Sequence, residues 1–220
     1  QSRGIVQDAE PERLWRPARW LAVPTARYMP LPIALPDRAL LLIAGMPGAG
    51  KTTLLQRLSV SRDSPSDSVV VLDSDAIRAT LARRWPMVPY RRYRPLVHLL
   101  HRLVIGRAAL GAVPVLVVHL PATGAATRTA LAGLARLTGR EAHVVWLDAD
   151  PTQARAGQLA RGRVVSAGSF ARHSCRAVAV TRRLRQGERL LGWRSATLLD
   201  GTAARRGIML MPSSLPPREW

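Results

Sequence analysis

Four short apolar runs recur along the middle of the chain, each closed by a polar or glycine-bearing turn and followed by a stretch with helical spacing. Ala39–Ala44, Val69–Leu72, Val113–His119 and His143–Leu147 are apolar at nearly every position, as strands are when both sheet faces are covered. Between and after them the spacing predicts helices over Lys51–Val60, Ala76–Arg84, Pro95–Leu110, Gly124–Thr138, Thr152–Ala160 and Phe170–Gln186. A short last strand is expected at Ala196–Leu199. This alternation predicts an α/β three-layer sandwich around a five-stranded, mostly parallel sheet.

The flanks read differently. Residues 1–38 hold six prolines and two tryptophans and are expected to form an irregular arm on the core. Residues 39–212 form the expected domain, and 213–220 a loose tail. The longest apolar run, Ala112–Leu120, is interrupted by Pro114 and falls short of the roughly 18–20 residues that span a bilayer. Acids at Asp8, Glu10 and Glu12 do not fit the layout of a signal peptide. A single cysteine, Cys175, cannot form an internal disulfide, so a cytoplasmic location is expected.

The turn after the first strand carries the most specific chemistry. Gly45-Met46-Pro47-Gly48-Ala49-Gly50-Lys51-Thr52 satisfies G-x-x-x-x-G-K-[ST] at every fixed position, and Thr53 continues into the helix. The glycines let the backbone curl until successive N–H groups face inward as an anion nest. Lys51 is placed for the β- and γ-phosphates of a nucleoside triphosphate, and the Thr52 hydroxyl for Mg²⁺. Lys51 is also the chain's one lysine among 33 basic residues, at a position where a compact ammonium suits better than a planar guanidinium. The expected fold is therefore a P-loop NTPase sandwich, with ATP and Mg²⁺ as ligands. With no second lysine, the N-K-x-D base-reading motif of GTPases cannot be present.

The second strand ends in Asp73-Ser74-Asp75, where open α/β sheets place their chemistry. Asp75 could take the proton of an attacking hydroxyl, with Arg78 one helical turn on to hold an anion. The plainer reading makes Asp75 the cap of the next helix. The third strand ends at His119, where a conventional Walker B acid would be expected. Magnesium would then rely on Thr52, the phosphates and Asp73.

The G-M-P-G-A-G-K-T loop, the D-S-D-A-I-R segment and a later R-G-R resemble the P-loop kinases related to polynucleotide 5′-hydroxyl kinase, zeta toxin and chloramphenicol phosphotransferase. ATP-binding proteins of high-GC actinobacteria are also similar. The resemblance spans Ala39 to Asp200. It implies the kinase-type strand order 2-3-1-4-5, Asp75 as base, Arg78 as a substrate or phosphate contact, and an arginine lid at about 155–173 led by Arg161 and Arg163. Arg155 and Arg172 are second choices, and Gln158 stands where many relatives have arginine.

Net charge of +19 admits an anionic partner, nucleic acid included, as readily as an arginine-rich solvated surface. No basic block or aromatic–basic stripe singles out nucleic acid. His98 and His101 lack companion ligands for a metal. Asp148 and Asp150 read as strand closure and helix cap, Cys175 as a small buried residue, and the tryptophans as packing anchors. Arg205 and Arg206 are candidates for stacking on a base. The sequence thus predicts a phosphotransferase moving the γ-phosphate of Mg-ATP to a hydroxyl acceptor: a metabolite, an antibiotic or a nucleic-acid 5′ end. The alternatives are an ATP-dependent binding module or weak ATPase switch, and a nucleic-acid-binding protein.

Overall fold

A computed structural model describes residues 16–17, 29–61, 68–160 and 166–213. Most of the N-terminal arm, Arg161, Arg163 and the tail beyond Ser213 therefore lie outside the described residues. Five parallel strands form the central sheet: β3 (Ala39–Gly45), β5 (Val69–Leu72), β6 (Val115–His119), β7 (Glu141–Leu147) and β8 (Ser195–Leu199). They stand in the order β5-β6-β3-β7-β8, which is 2-3-1-4-5 in their own succession, as the resemblance implies. Two residues of β1 (Arg16–Pro17) add antiparallel to the β5 edge.

The central strand β3 is buried at all seven positions, so its alternate side chains feed two separate cores. Leu40, Leu42 and Ala44 join Leu116, Val118, Val144 and Trp146 against helices α3 (Tyr90–Leu110), α4 (Ala125–Leu137) and α6 (Ala167–Arg185). Leu41 and Ile43 join Val117, Val145 and Leu147 on the opposite face. There they meet α1 (Lys51–Gln56), α7 (Gly201–Arg206) and a second sheet.

That second sheet corrects two sequence expectations. The helix expected over Lys51–Val60 stops at Gln56, and β4 (Leu58–Val60) follows. Inside the stretch read as an irregular arm, β2 (Leu31–Pro36) is a strand. Both pair in parallel with β9 (Ile208–Ser213), in the order β2-β9-β4, so the strand at 195–199 is not the last. Leu35, Leu58, Val60, Ile208 and Leu210 point inward and complete the lower core. The third layer is thus part helix and part sheet.

On the upper face, α3 starts at Tyr90, five residues before the expected Pro95. Pro95 lies in its second turn, where it cannot donate to the Arg91 carbonyl and its ring crowds that carbonyl, yet the helix runs on to Leu110. Its buried stripe is Tyr93, Val97, His101, Ile105 and Ala109, one residue in four. The helices α2 (Ser74–Arg84) and α5 (Pro151–Leu159) follow β5 and β7 directly, so their first turns sit at the carboxyl edge of the sheet beside the glycine loop.

Candidate functional site

The glycine loop leaves the carboxyl end of β3 through backbone that only glycine adopts readily. Gly45, Gly48 and Gly50 all have positive φ, at 141°, 93° and 93°. At Gly48 space is as tight as conformation, since a Cβ there would collide with the Ala154 carbonyl oxygen of α5. Gln158, one helical turn on, donates from Nε2 to the Pro47 carbonyl at 2.9 Å and is almost fully buried. One face of α5 therefore presses the loop into its curl.

Lys51 opens α1 and is buried, with Nζ donating to the carbonyls of Gly45 (3.0 Å) and Met46 (2.9 Å). The ammonium thus spans the curl and is held at its centre. A cavity of about 850 Å³ opens beside the loop, bounded by Met46, Gly48–Gly50 and Thr53 on one side. Its far walls are Asp148, Asp150 and Ala154 after β7, Thr181, Arg182 and Arg185 of α6, and Asp200 and Arg205 after β8. This volume lies within the range of small-molecule sites.

Each of its acids has a local task. Asp150 caps α5, accepting from the Thr152 and Gln153 amides at 2.8 and 3.2 Å. Asp148 meets Arg185 Nη2 at 2.7 Å and Thr181 Oγ1 at 3.3 Å; Thr181 in turn accepts from the buried Trp146 indole. Asp200 caps α7 through the Thr202 and Ala203 amides, and the Ala203 bond is the largest influence drawing its carboxyl below the ordinary value.

On the other side of the loop, Asp73 rather than Asp75 caps α2, accepting from the Asp75 amide at 3.2 Å. This corrects the plainer sequence reading and leaves Asp75 half-buried in the first helical turn. The His119 Nδ1, at the end of β6, lies 3.0 Å from Asp73 Oδ1. Burial alone would raise the Asp73 carboxyl. His119 beside it, the Asp75 amide and the charge of His101 outweigh that, and the net position is below the usual carboxylate value. Arg78 is half-buried, its guanidinium 4.6 Å above the Tyr90 ring.

The residues present suit a Mg-nucleotide. The curl rejects a side chain at Gly48, a buried ammonium lies at its centre, and Asp73 is an ionised carboxylate able to meet a cation. Thr52 and Asp73 are the residues that would hold the metal, which when bound would neutralise phosphate charge.

Comparison with known proteins gives a family and a fold. Residues 40–183, well over half of the chain, match the family model described as AAA domain. The chain belongs to that family. A solved structure of the PezAT chromosomal toxin–antitoxin system of Streptococcus pneumoniae overlays with a TM-score of 0.55 at 15% identity, covering 74% of this chain and 69% of that one. Shikimate kinase of Acinetobacter baumannii, in complex with shikimate, overlays more loosely: TM-score 0.43, 14% identity, 76% and 87% covered. Among curated proteins none matches in sequence. The fold of this AAA-domain chain is shared with the PezAT structure.

Within the AAA-domain chain, the structure brings the loop residues 45–53 together, and it sets Asp73 and His119 in contact. Asp73, Asp75 and Arg78 do not line the large cavity, whereas Arg205, a stacking candidate, does. Arg206 is not among its walls, and Arg155 is exposed on α5. Sequence reasoning passed over Asp200, although an acid between a strand and a helix is itself a cap signal. It also missed the wall made by Thr181, Arg182 and Arg185, whose spacing on α6 carries no motif. Cys175 is exposed, which corrects the expectation of a buried residue. No helix among the described residues is long and apolar enough to cross a membrane.

Proposed function

We propose that this protein is an ATP-dependent phosphotransferase acting on a hydroxyl acceptor. The observation that carries this reading is the buried Lys51 ammonium at the centre of a curl that leaves no room for a side chain at Gly48, beside a cavity of nucleotide size. In this reading the triphosphate lies along residues 45–53 and the nucleoside in the cavity toward Asp200 and Arg205. Asp75 takes the proton of the acceptor hydroxyl as its oxygen attacks the γ-phosphorus. The bond from that phosphorus to the bridging oxygen breaks, ADP leaves, and Lys51 stabilises the charge that develops. Arg78, and Arg161 and Arg163 of the expected lid, would supply further positive charge.

The test is transfer of labelled γ-phosphate to a panel of alcohols. Lys51→Ala is expected to lower transfer by about a hundredfold or more. Asp75→Asn should lower it by roughly 10²–10⁴ without weakening nucleotide binding. Wild-type rates in Asp75→Asn would remove Asp75 from the mechanism. One observation favours a second reading, an ATP-dependent binding module: the end of β6 offers the His119–Asp73 pair in place of an isolated acid. That reading requires Mg-ATP to raise thermal stability while no label leaves it.

A further inference from the structure

The large cavity occupies only one side of Lys51. Apart from the loop itself, its walls come from the turns after β7 and β8 and the helices that follow them, together with the carboxyl-terminal half of α6 from Val178 onward. The amino-terminal half of α6 goes elsewhere. His173 Nδ1 lies 2.6 Å from the Oγ1 of Thr123, which is buried in the turn after β6. One helical turn on, an Arg176 guanidinium nitrogen lies 3.7 Å from the Cβ position of Gly124 in the same turn. That turn is tied to the glycine loop, because the Gly45 amide donates to the Pro121 carbonyl at 3.1 Å. Arg128 fastens it from below, giving Nη1 to the Ala122 and Thr123 carbonyls at 2.7 and 2.8 Å. So α6 crosses the site as a bar, its two halves serving opposite sides of the loop.

Cations gather on this second side. Burial holds His173 below its ordinary pKa, and the positive charges of Arg176, Lys51, Arg94 and Arg172 add to that, so all four lie within electrostatic reach of one imidazole. Arg94 comes from the first turns of α3, with its Nε 3.3 Å from His98 Nε2. Arg94, Arg172 and Arg176 are exposed, and none of the three forms a salt bridge among the described residues. Asp73, the carboxylate at the edge of this side, is already in contact with His119. Like charges gathered on three elements, α1, α3 and α6, make the space between them favourable for an anion. A triphosphate placed along the loop with its nucleoside in the large cavity answers Lys51 but leaves the α3 and α6 arginines facing the acceptor side.

We propose that the acceptor carries a phosphate group of its own, held between Arg94 of α3 and Arg176 of α6 on the β5–β6 side of the loop. This rests on the phosphotransferase reading and narrows it: a neutral alcohol or a cationic antibiotic does not suit this side, whereas a phosphorylated sugar or a nucleic-acid strand does. Arg172 and His173 border the same space, with His173 fixed by Thr123 so that α6 keeps its register over the turn.

The experiment has two arms. In the first, protein is titrated calorimetrically with Mg²⁺ and the β,γ-imido analogue of ATP, and the saturated protein is then titrated with inorganic phosphate. Wild type should bind phosphate in this second step. The double variant Arg94→Gln, Arg176→Gln should bind it at least tenfold more weakly while its affinity for the analogue changes less than twofold. No phosphate binding by the saturated wild type, or equal binding by the double variant, overturns the proposal; failure of the analogue to bind overturns the phosphotransferase reading instead. In the second arm, labelled transfer compares sugars, their phosphates and a short 5′-hydroxyl oligonucleotide. Transfer to a sugar phosphate but not the oligonucleotide assigns the phosphate to a metabolite, and the reverse assigns it to nucleic acid. Transfer to the neutral sugars at an equal rate overturns the proposal.

Discussion

A methyl group added at Gly48 meets the backbone carbonyl of Ala154, whereas one added at Gly50 meets nothing within 4 Å. Both residues have φ of 93°, so the two substitutions carry similar backbone strain, of roughly 1–2 kcal/mol. The difference between them isolates the fit of the loop against α5. Gly48→Ala is expected to weaken Mg-ATP binding by at least tenfold more than Gly50→Ala does, because the loop must lift off α5 to accommodate it. Calorimetry on the two variants checks this, and equal losses would mean that the packing on α5 does not shape the loop. The glycines were legible in the sequence because each answers a conformational demand that no other residue meets. Gln158 was legible only as a departure from an arginine pattern. Its bond to Pro47 joins residues 111 apart, and nothing in the local text forecasts such a contact.

Arg140 shows how one side chain can finish several elements. It is buried at the start of β7, and its guanidinium donates to the carbonyls of Ala109 (2.8 Å), Gly111 (2.8 Å), Val113 (2.8 Å) and Pro114 (3.2 Å). These are the last turn of α3 and the link into β6, where helix carbonyls lack partners of their own. Burial lowers the Arg140 pKa but from so high a value that the group stays charged. Arg140→Met removes the donors and keeps much of the volume, leaving buried carbonyls unmet at a cost on the order of 3 kcal/mol. Thermal unfolding should fall by roughly 5–10 °C. Nucleotide affinity should hold, since Arg140 lies at the sheet edge opposite the glycine loop. A loss of nucleotide binding without a loss of stability would contradict this assignment. The elements that sequence pattern misjudged fail for a related reason. Leu54, Leu55 and Leu58 have helical spacing, yet Leu58–Val60 becomes a strand because β9, about 150 residues away, offers it a parallel edge. Local periodicity reads the core strands well, since their burial on both faces shows as unbroken apolar runs, but it is blind to a pairing partner that far along the chain.

At the scale of the whole molecule, net charge and buried imidazoles together set how the fold responds to acid. His98, His101, His143 and His173 all sit below the ordinary histidine pKa, with burial the first cause in each. His143 is the clearest case. It is buried on β7 with Nδ1 2.8 Å from Ser195 Oγ; burial and the charge of Arg194 lower its pKa, while Glu141 partly opposes them. A depressed folded-state pKa means that the unfolded chain binds a proton first. The stabilising contribution is therefore complete above about pH 6.5 and declines as pH falls from there through the folded-state values. Surface carboxylates remain ionised at the top of this window, so the early part of the decline belongs to histidine. The melting temperature should stay level from pH 8 to 7 and then drop steadily toward pH 5. His143→Gln, which keeps a polar group for Ser195 but cannot take up the proton, should make the drop shallower. The comparison is a thermal melt series of both proteins at fixed ionic strength, since a molecule with this excess of positive charge is sensitive to screening. A wild-type melting temperature unchanged between pH 7 and 5 would show that these imidazoles are not held neutral by their surroundings. A variant as acid-sensitive as wild type would move the effect from His143 to the other three.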